Sequence, residues 1–171
     1  ELKEYYKQTS ESDTTKISFY EDTYSLYNLY RFAHYYEEAY GKYIWLKSGA
    51  SLVIEHTEAM TVIDVNTGSV LKKKKQEDTL FYQINREAAK EIARQLRLRN
   101  ISGIIMIDFI NMKDTAQKEK LLSLLDSECK KDRVHCNVID MTALNLVEMT
   151  RNKVRKPLHE QIRSCMKNNR S

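Results

Sequence analysis

The chain has 171 residues, of which 42% are hydrophobic and 30% are charged, and its net charge at pH 7 is +4. These values indicate a folded protein with one core of ordinary size, and the mild positive charge permits an anionic partner without requiring one. Every apolar run is well short of the roughly 20 residues that span a bilayer, and the N-terminus has neither an apolar signal core nor a starting Met. We therefore expect no transmembrane segment, and an excised piece or a cytoplasmic chain.

The three cysteines are Cys129, Cys136 and Cys165. Their number is odd, their spacing is wide, and no two of them form a CxxC pair. A disulfide framework and a local zinc knuckle are therefore not indicated, and we expect reduced thiols.

The N-terminal third begins with about a dozen polar residues and continues with a short predicted strand, KISFY, at 16–20. The tyrosine-rich residues 21–42 have apolar side chains at helical spacing and predict one helix that Gly41 closes. Such tyrosines stack on bases in some proteins, but core or interface packing is their more usual role.

The middle of the chain changes to short β-like runs. SLVIEHT at 51–57 and MTVIDVN at 60–66 are separated by a polar pair and predict an antiparallel hairpin. A basic, polar loop with four consecutive lysines follows. The clearest helix is predicted over 85–100, with Asn85 as its N-cap and an apolar stripe along one side.

The C-terminal half alternates strands and helices and ends, after Pro157, in a basic polar tail. A continuous apolar run predicts a buried strand, a leucine-rich segment with Asp114 as N-cap predicts a helix, and two further strands follow. This order predicts an α/β fold, an α+β sandwich in which helices are layered on a mixed sheet. The predicted segments are 102–110, 114–132, 134–141 and 144–154.

Acidic side chains lie at the ends of two of these apolar strands. Asp64 and Asn66 share one face of their strand, because side chains alternate, and Asp108 ends the second strand. If the strands are neighbours, two carboxylates ~5 Å apart repel by roughly 3 kcal/mol at an effective dielectric near 20, and a cation removes that repulsion. Two Asp and an Asn suit Mg²⁺. The alternative is that each Asp forms a turn or caps a helix, and periodicity alone leaves both interpretations open.

Three long segments, in this order and spacing, resemble the ribonuclease E/G family of bacterial endoribonucleases. They are WLKSGASLVIEHTEAMTVIDVNTG at 45–68, NREAAKEIARQLRLRNISGIIMIDFINM at 85–112 and LVEMTRNKVRKPL at 146–158. The resemblance implies that residues 40–160 are a DNase I-like catalytic subdomain and that residues 1–39 are the end of an RNase H-like subdomain.

In that family the matching Asp residues hold a catalytic Mg²⁺ and the Asn orients them. The resemblance therefore implies Asp64 and Asp108 as metal ligands, Asn66 as the residue that orients them, and Mg²⁺ or Mn²⁺ as the cofactor. The implied reaction is hydrolysis of single-stranded RNA in RNA processing and decay, in the bacterial cytoplasm, leaving 5′-phosphate and 3′-hydroxyl ends.

The sequence departs from the family pattern at its end, in residues 161–171. Only Cys165 lies near the family's zinc-link, and Asn168 occupies the place of the second Cys. We expect no structural Zn²⁺ in this chain, although the full-length enzyme is expected to be a homo-oligomer. The family's S1 domain and 5′-monophosphate sensor have no counterpart in these residues. An inactive RNA-binding or assembly remnant is therefore the alternative function.

Basic residues provide the candidates for RNA contact. Lys72, Lys73, Lys74 and Lys75 follow the Asp64 strand, and Arg133 matches a family Asp-Arg pair. The alternative for each is a solvated or structural side chain. His56 precedes the Asp64 strand, where packing is a more usual role for a histidine than general-base catalysis.

Overall fold

A computed structural model describes residues 20–68 and 77–168, and the chain divides into two compact units, residues 1–36 and 37–171. The predicted strand at 16–20 and the four consecutive lysines lie outside the described residues, apart from Tyr20. Among the described residues, no helix combines the length and the apolar content needed to cross a bilayer.

The tyrosine-rich segment forms two helices rather than the one that its spacing predicts. Helix α1 spans Leu26–Leu29 and α2 spans Phe32–Tyr40. Between them, Arg31 adopts a φ of 51°, a left-handed conformation that a continuous α-helix does not allow. Most aromatic side chains of the segment are half exposed or more, so they do not form a core.

The described residues of the second unit contain six strands, which form a mixed sheet in the order β1-β2-β3-β4-β6-β5. Strands β3 and β4 are parallel, and every other neighbouring pair is antiparallel, including the predicted hairpin. This architecture confirms the predicted mixed α/β fold. The strands are β1 (Tyr43–Trp45), β2 (Ser51–His56), β3 (Met60–Asn66), β4 (Gly103–Asp108), β5 (Cys136–Met141) and β6 (Leu146–Arg151).

Helices α3 (Glu77–Leu98) and α4 (Thr115–Cys129) cover one face of this sheet. Their apolar stripes join alternate strand residues, such as Ile63, Ile107 and Val147, in one core. The oxygen Oδ1 of Asp114 accepts a hydrogen bond from the backbone N–H of Ala116 at 2.8 Å, which confirms it as the N-cap of α4.

Two boundaries differ from the predictions. Helix α3 begins at Glu77, eight residues before the predicted cap, so Asn85 lies inside the helix and its side chain is fully buried. After Pro157, a further helix, α5 (Leu158–Asn168), replaces the predicted polar tail. Proline suits the start of a helix because it lacks only an N–H that would be unpaired there.

A buried ion pair lies at one end of the sheet. This is the end where β4 begins, opposite the end that carries Asp64 and Asp108. The Nε of Arg151 donates to Oδ2 of Asp132 at 2.9 Å, and its Nη1 donates to Oδ1 of Asn100 and to the carbonyl of Ile101, each also at 2.9 Å. Burial by itself raises the pKa of Asp132, but hydrogen bonds from Arg151 and from the N–H of Val134 outweigh it, and this pKa lies below its usual value.

Candidate metal-binding site

Asp64 and Asp108 are direct register partners on the two parallel strands β3 and β4. Partner residues on neighbouring strands point to the same face, and their backbones are about 4.8 Å apart. Ile63 and Ile107, one position earlier, are partners too and lie in the core. The two carboxylates therefore project together from the face of the sheet opposite the helices, as the alternation of the sequence predicts.

Asn66 is bonded to the first of these carboxylates. Its Nδ2 donates a hydrogen bond to Oδ2 of Asp64 at 2.6 Å, across the i, i+2 spacing that places both side chains on one face of β3. Asp108 is exposed, yet partial burial raises its pKa, and repulsion from the neighbouring Asp64 raises it further. Two acids thus share a small region that favours a positive charge.

The turn that follows Asn66 is shaped by two glycines. Gly68 has a φ of 56°, and a Cβ at this position would lie 2.6 Å from the carbonyl oxygen of Gly49. Only glycine fits this approach without movement of the backbone. The turn therefore holds the end of β3, and with it Asn66, against the turn that precedes β2.

The end of β4 is held by a residue whose role was not predicted. The Nδ2 of Asn85 donates to the carbonyl of Ile110 at 2.7 Å, and its Oδ1 accepts from the N–H of the same residue at 3.0 Å. These two bonds fix the backbone two residues after Asp108. The sequence contains a sign of this role, because Asn85 stands three residues before Ala88 and so belongs to the apolar stripe of α3. The sequence pattern predicts it as a helix cap instead.

The donor set fits a divalent cation of the Mg²⁺ type. Such an ion takes one or two carboxylates from a protein and completes its shell with water and phosphate oxygens. Asp64 and Asp108 are two carboxylates on adjacent strands, and no described His or Cys side chain joins them. Within the described residues, no group of three or more His, Cys, Asp or Glu side chains forms a fuller metal cage.

The predicted RNA-contact residues are only partly placed. Lys72, Lys73, Lys74 and Lys75 lie outside the described residues. Arg133 is exposed and precedes β5, whose first residue pairs with Arg151, so it lies at the end of the sheet opposite Asp108. The structure does not bring Arg133 to the carboxylates.

The basic stripe of α3 is also engaged elsewhere. The guanidinium of Arg94 pairs with Glu91 at 3.0 Å and with Glu38 at 3.4 Å. That of Arg86 lies over the ring of Tyr82, 5.7 Å from its centroid. Both arginines belong to the helix layer, on the far side of the sheet from Asp64.

His56 lies away from the carboxylates and lines a cavity of about 900 Å³. It pairs with Thr61, three residues before Asp64 along β3, on the helix-facing side of the sheet. Its ring stacks on that of His159, with the centroids 3.7 Å apart. Burial, followed by repulsion from His159, lowers the pKa of His56 to about 4, and burial lowers the pKa of His159. His56 therefore packs against the first turn of α5 and does not contact the two carboxylates.

This stacked pair predicts that acid destabilises the fold. Because the folded pKa of His56 lies below its usual 6.5, the unfolded chain binds the proton first, and stability is lost as the pH falls from about 6.5 towards 4. The slope for one proton is at most about 1.4 kcal/mol per pH unit, and partial exposure makes it smaller. We expect thermal unfolding to shift down between pH 7 and pH 5 by less in His56→Gln than in the wild type.

The exposed His135 provides the control for that measurement. His135→Gln should keep the acid sensitivity of the wild type, because its ring is not stacked in the cavity. An equal acid shift in the wild type and in His56→Gln would show that the stacked pair contributes nothing to the pH dependence.

Comparison with known proteins finds one family. The model of the Ribonuclease E/G family matches residues 1–154. Ribonuclease G of Escherichia coli (strain K12) is 41% identical over 145 residues, which are 85% of this chain and 29% of that protein. Ribonuclease G of Haemophilus influenzae is 40% identical over 158 residues, 92% of this chain and 32% of that protein.

Ribonuclease E of Nostoc sp. (strain PCC 7120) is 35% identical over 162 residues, 93% of this chain and 23% of that protein. The chain therefore spans about a third or less of the length of these curated relatives. The matches cover β3 and β4, the two strands that carry the carboxylate pair.

Proposed function

Because the chain belongs to the ribonuclease E/G family, we propose that it carries the metal-binding centre of an endoribonuclease that hydrolyses single-stranded RNA. The observation that supports this most strongly is the direct register of Asp64 with Asp108. In this proposal residues 40–160 are the catalytic subdomain, with a DNase I-like fold. The products are a 5′-phosphate and a 3′-hydroxyl.

Each residue of the site has a defined task in this proposal. Asp64 and Asp108 bind a divalent cation, Mg²⁺ or Mn²⁺, from two adjacent strand ends, and their shared negative charge favours that ion. Asn66 holds the carboxylate of Asp64 in one orientation through its 2.6 Å hydrogen bond. Asn85 holds the backbone beyond Asp108 through Ile110.

The cation, when bound, supplies a Lewis acid and a water of lowered pKa. The chain itself provides a rigid base for that chemistry, because both carboxylates stand on strands whose opposite faces lie in the core. Rigid placement matters because a displacement of about 1 Å can reduce a rate by roughly 10²-fold. A protein nucleophile is not required in this scheme.

The experiment is incubation of the chain with a 5′-monophosphorylated, A/U-rich single-stranded RNA in Mg²⁺, in Mn²⁺ and in EDTA. We expect cleavage with either metal and none in EDTA, with fragments that a 5′-phosphate-dependent exonuclease degrades. Absence of cleavage in all three conditions would overturn the enzymatic proposal for this chain. If the chain bound the RNA but did not cut it, the alternative, an RNA-binding or assembly module, would replace the proposal.

A further inference from the structure

Two large aromatic side chains are exposed on the edge strand β1. Tyr43 is 59% exposed and Trp45 is 72% exposed, whereas Ile44 between them is 4% exposed and lies in the core. Isolated exposed aromatics are ordinary. These two are side by side on the same face of one strand, and the core does not account for them.

The register of the sheet places both aromatics on the same face as the carboxylates. Tyr43 pairs with Val53, which pairs with Asp64, and Trp45 pairs through Ser51 with Asn66. Two strand spacings separate β1 from β3, which is about 10 Å. The aromatic pair therefore lies beside the metal site on the face that the helices leave uncovered.

One cation lies beside the aromatic pair. The ammonium group of Lys42 lies 5.7 Å from the centroid of the Tyr43 ring, and it also forms an exposed ion pair with Glu55. Exposed aromatic faces beside cations are the means by which proteins hold single-stranded nucleic acids, since the rings stack on bases and the cations meet the backbone.

We propose that Tyr43 and Trp45 form a stacking platform for a base of single-stranded RNA next to the phosphate at Asp64 and Asp108. This proposal rests on the proposed function, because it takes that phosphate as its reference point. The platform favours unpaired RNA, since a base in a duplex already stacks on its neighbours and does not present its face. Selection of single strands thus arises within the sheet itself.

Trp45 is the only tryptophan in the chain, so its fluorescence reports on this position alone. The test is a titration of the chain with a short oligouridylate in EDTA, where the RNA stays intact, followed by tryptophan emission and by the anisotropy of the labelled RNA. We expect the emission to be quenched with the same dissociation constant that anisotropy gives. A duplex of the same length should quench weakly.

Substitutions of Trp45 test the stacking contribution. Trp45→Ala should weaken oligouridylate binding by about 5- to 150-fold, the range for losing one stacked base, and Trp45→Phe should retain most of the affinity. Leu98→Ala removes an apolar side chain of 45% exposure from α3 in the helix layer and should bind as the wild type does. Trp45 is exposed, so these variants are expected to fold normally.

Three results would overturn the platform: unchanged emission at RNA concentrations that saturate the anisotropy, absence of RNA binding, or wild-type affinity in Trp45→Ala. If the emission changed with protein concentration but not on addition of RNA, this face would bind a second copy of the chain, and the platform would be overturned. Metal-dependent cleavage together with Trp45 emission that RNA does not change would overturn the platform and leave the proposed function supported. Quenching of Trp45 by RNA without any cleavage in Mg²⁺ would support the platform and overturn the proposed enzymatic function.

Discussion

Asp64→Asn and Asp108→Asn are each expected to lower RNA cleavage by roughly 10³-fold, because a metal ligand contributes several kcal/mol of transition-state stabilisation. The amide keeps the size of the side chain but removes the charge that, in our proposal, holds the cation. Both residues stand on the open face of the sheet, so the fold should survive. The measurement is the single-turnover rate on a 5′-labelled A/U-rich RNA in Mg²⁺.

Asp126→Asn is the matched control for these two variants. Asp126 lies in α4 on the helix layer, where its carboxylate pairs with Lys130. Exposed pairs of this kind are worth about 0–1 kcal/mol, so neither activity nor stability should change much. Thermal unfolding of Asp64→Asn and Asp108→Asn should occur no lower than that of the wild type, since each change relieves repulsion between the carboxylates. Wild-type rates in either variant would exclude the pair from catalysis.

Arg151→Met is expected to produce the largest loss of stability. The side chains of Arg151 and Asp132 are 3% and 8% exposed, and removal of one partner leaves the other charge buried without its counter-charge. Breaking such a pair costs about 3–5 kcal/mol. For a chain of this size, that corresponds to a fall in melting temperature of roughly 6–20 °C.

Lys130→Met provides the comparison, because it breaks an ion pair whose lysine is 73% exposed. Its effect should stay within about 0.5 kcal/mol. Differential scanning calorimetry at pH 7 compares the two variants directly. Equal melting temperatures for Arg151→Met and Lys130→Met would show that the network of Arg151 with Asp132, Asn100 and Ile101 does not hold that end of the sheet.

The sequence predicted the elements whose pattern is local. Alternation in MTVIDVN placed Asp64 and Asn66 on one face, and the hairpin, β4 and α4 follow from runs of apolar residues that tertiary packing preserves. The meeting of Asp64 with Asp108 was conditional on their strands being neighbours. Strand order is a property of the whole fold, and only the structure supplies the parallel β3–β4 pairing.

What the sequence did not predict depends on contacts distant along the chain. Asn85 is a residue type that often caps helices, but its hydrogen-bond partner, the backbone of Ile110, lies 25 residues away along the chain. The face that Trp45 shares with Asn66 depends on two successive register pairings. Arg133, predicted as an RNA contact, precedes β5, which is antiparallel to β6 and therefore runs in the same direction as β4. Arg133 thus lies where β4 begins, at the end of the sheet opposite Asp108.

Titration with Mn²⁺ followed by electron paramagnetic resonance tests most directly whether Asp64 and Asp108 bind one divalent cation together. The wild-type chain should bind one Mn²⁺, and Mg²⁺ should displace it. With the double variant Asp64→Asn/Asp108→Asn, the Mn²⁺ spectrum should remain that of the free ion. Asp126→Asn should bind as the wild type does. Equal Mn²⁺ binding by the wild type and the double variant, or none by either, would contradict cation binding by this pair of carboxylates.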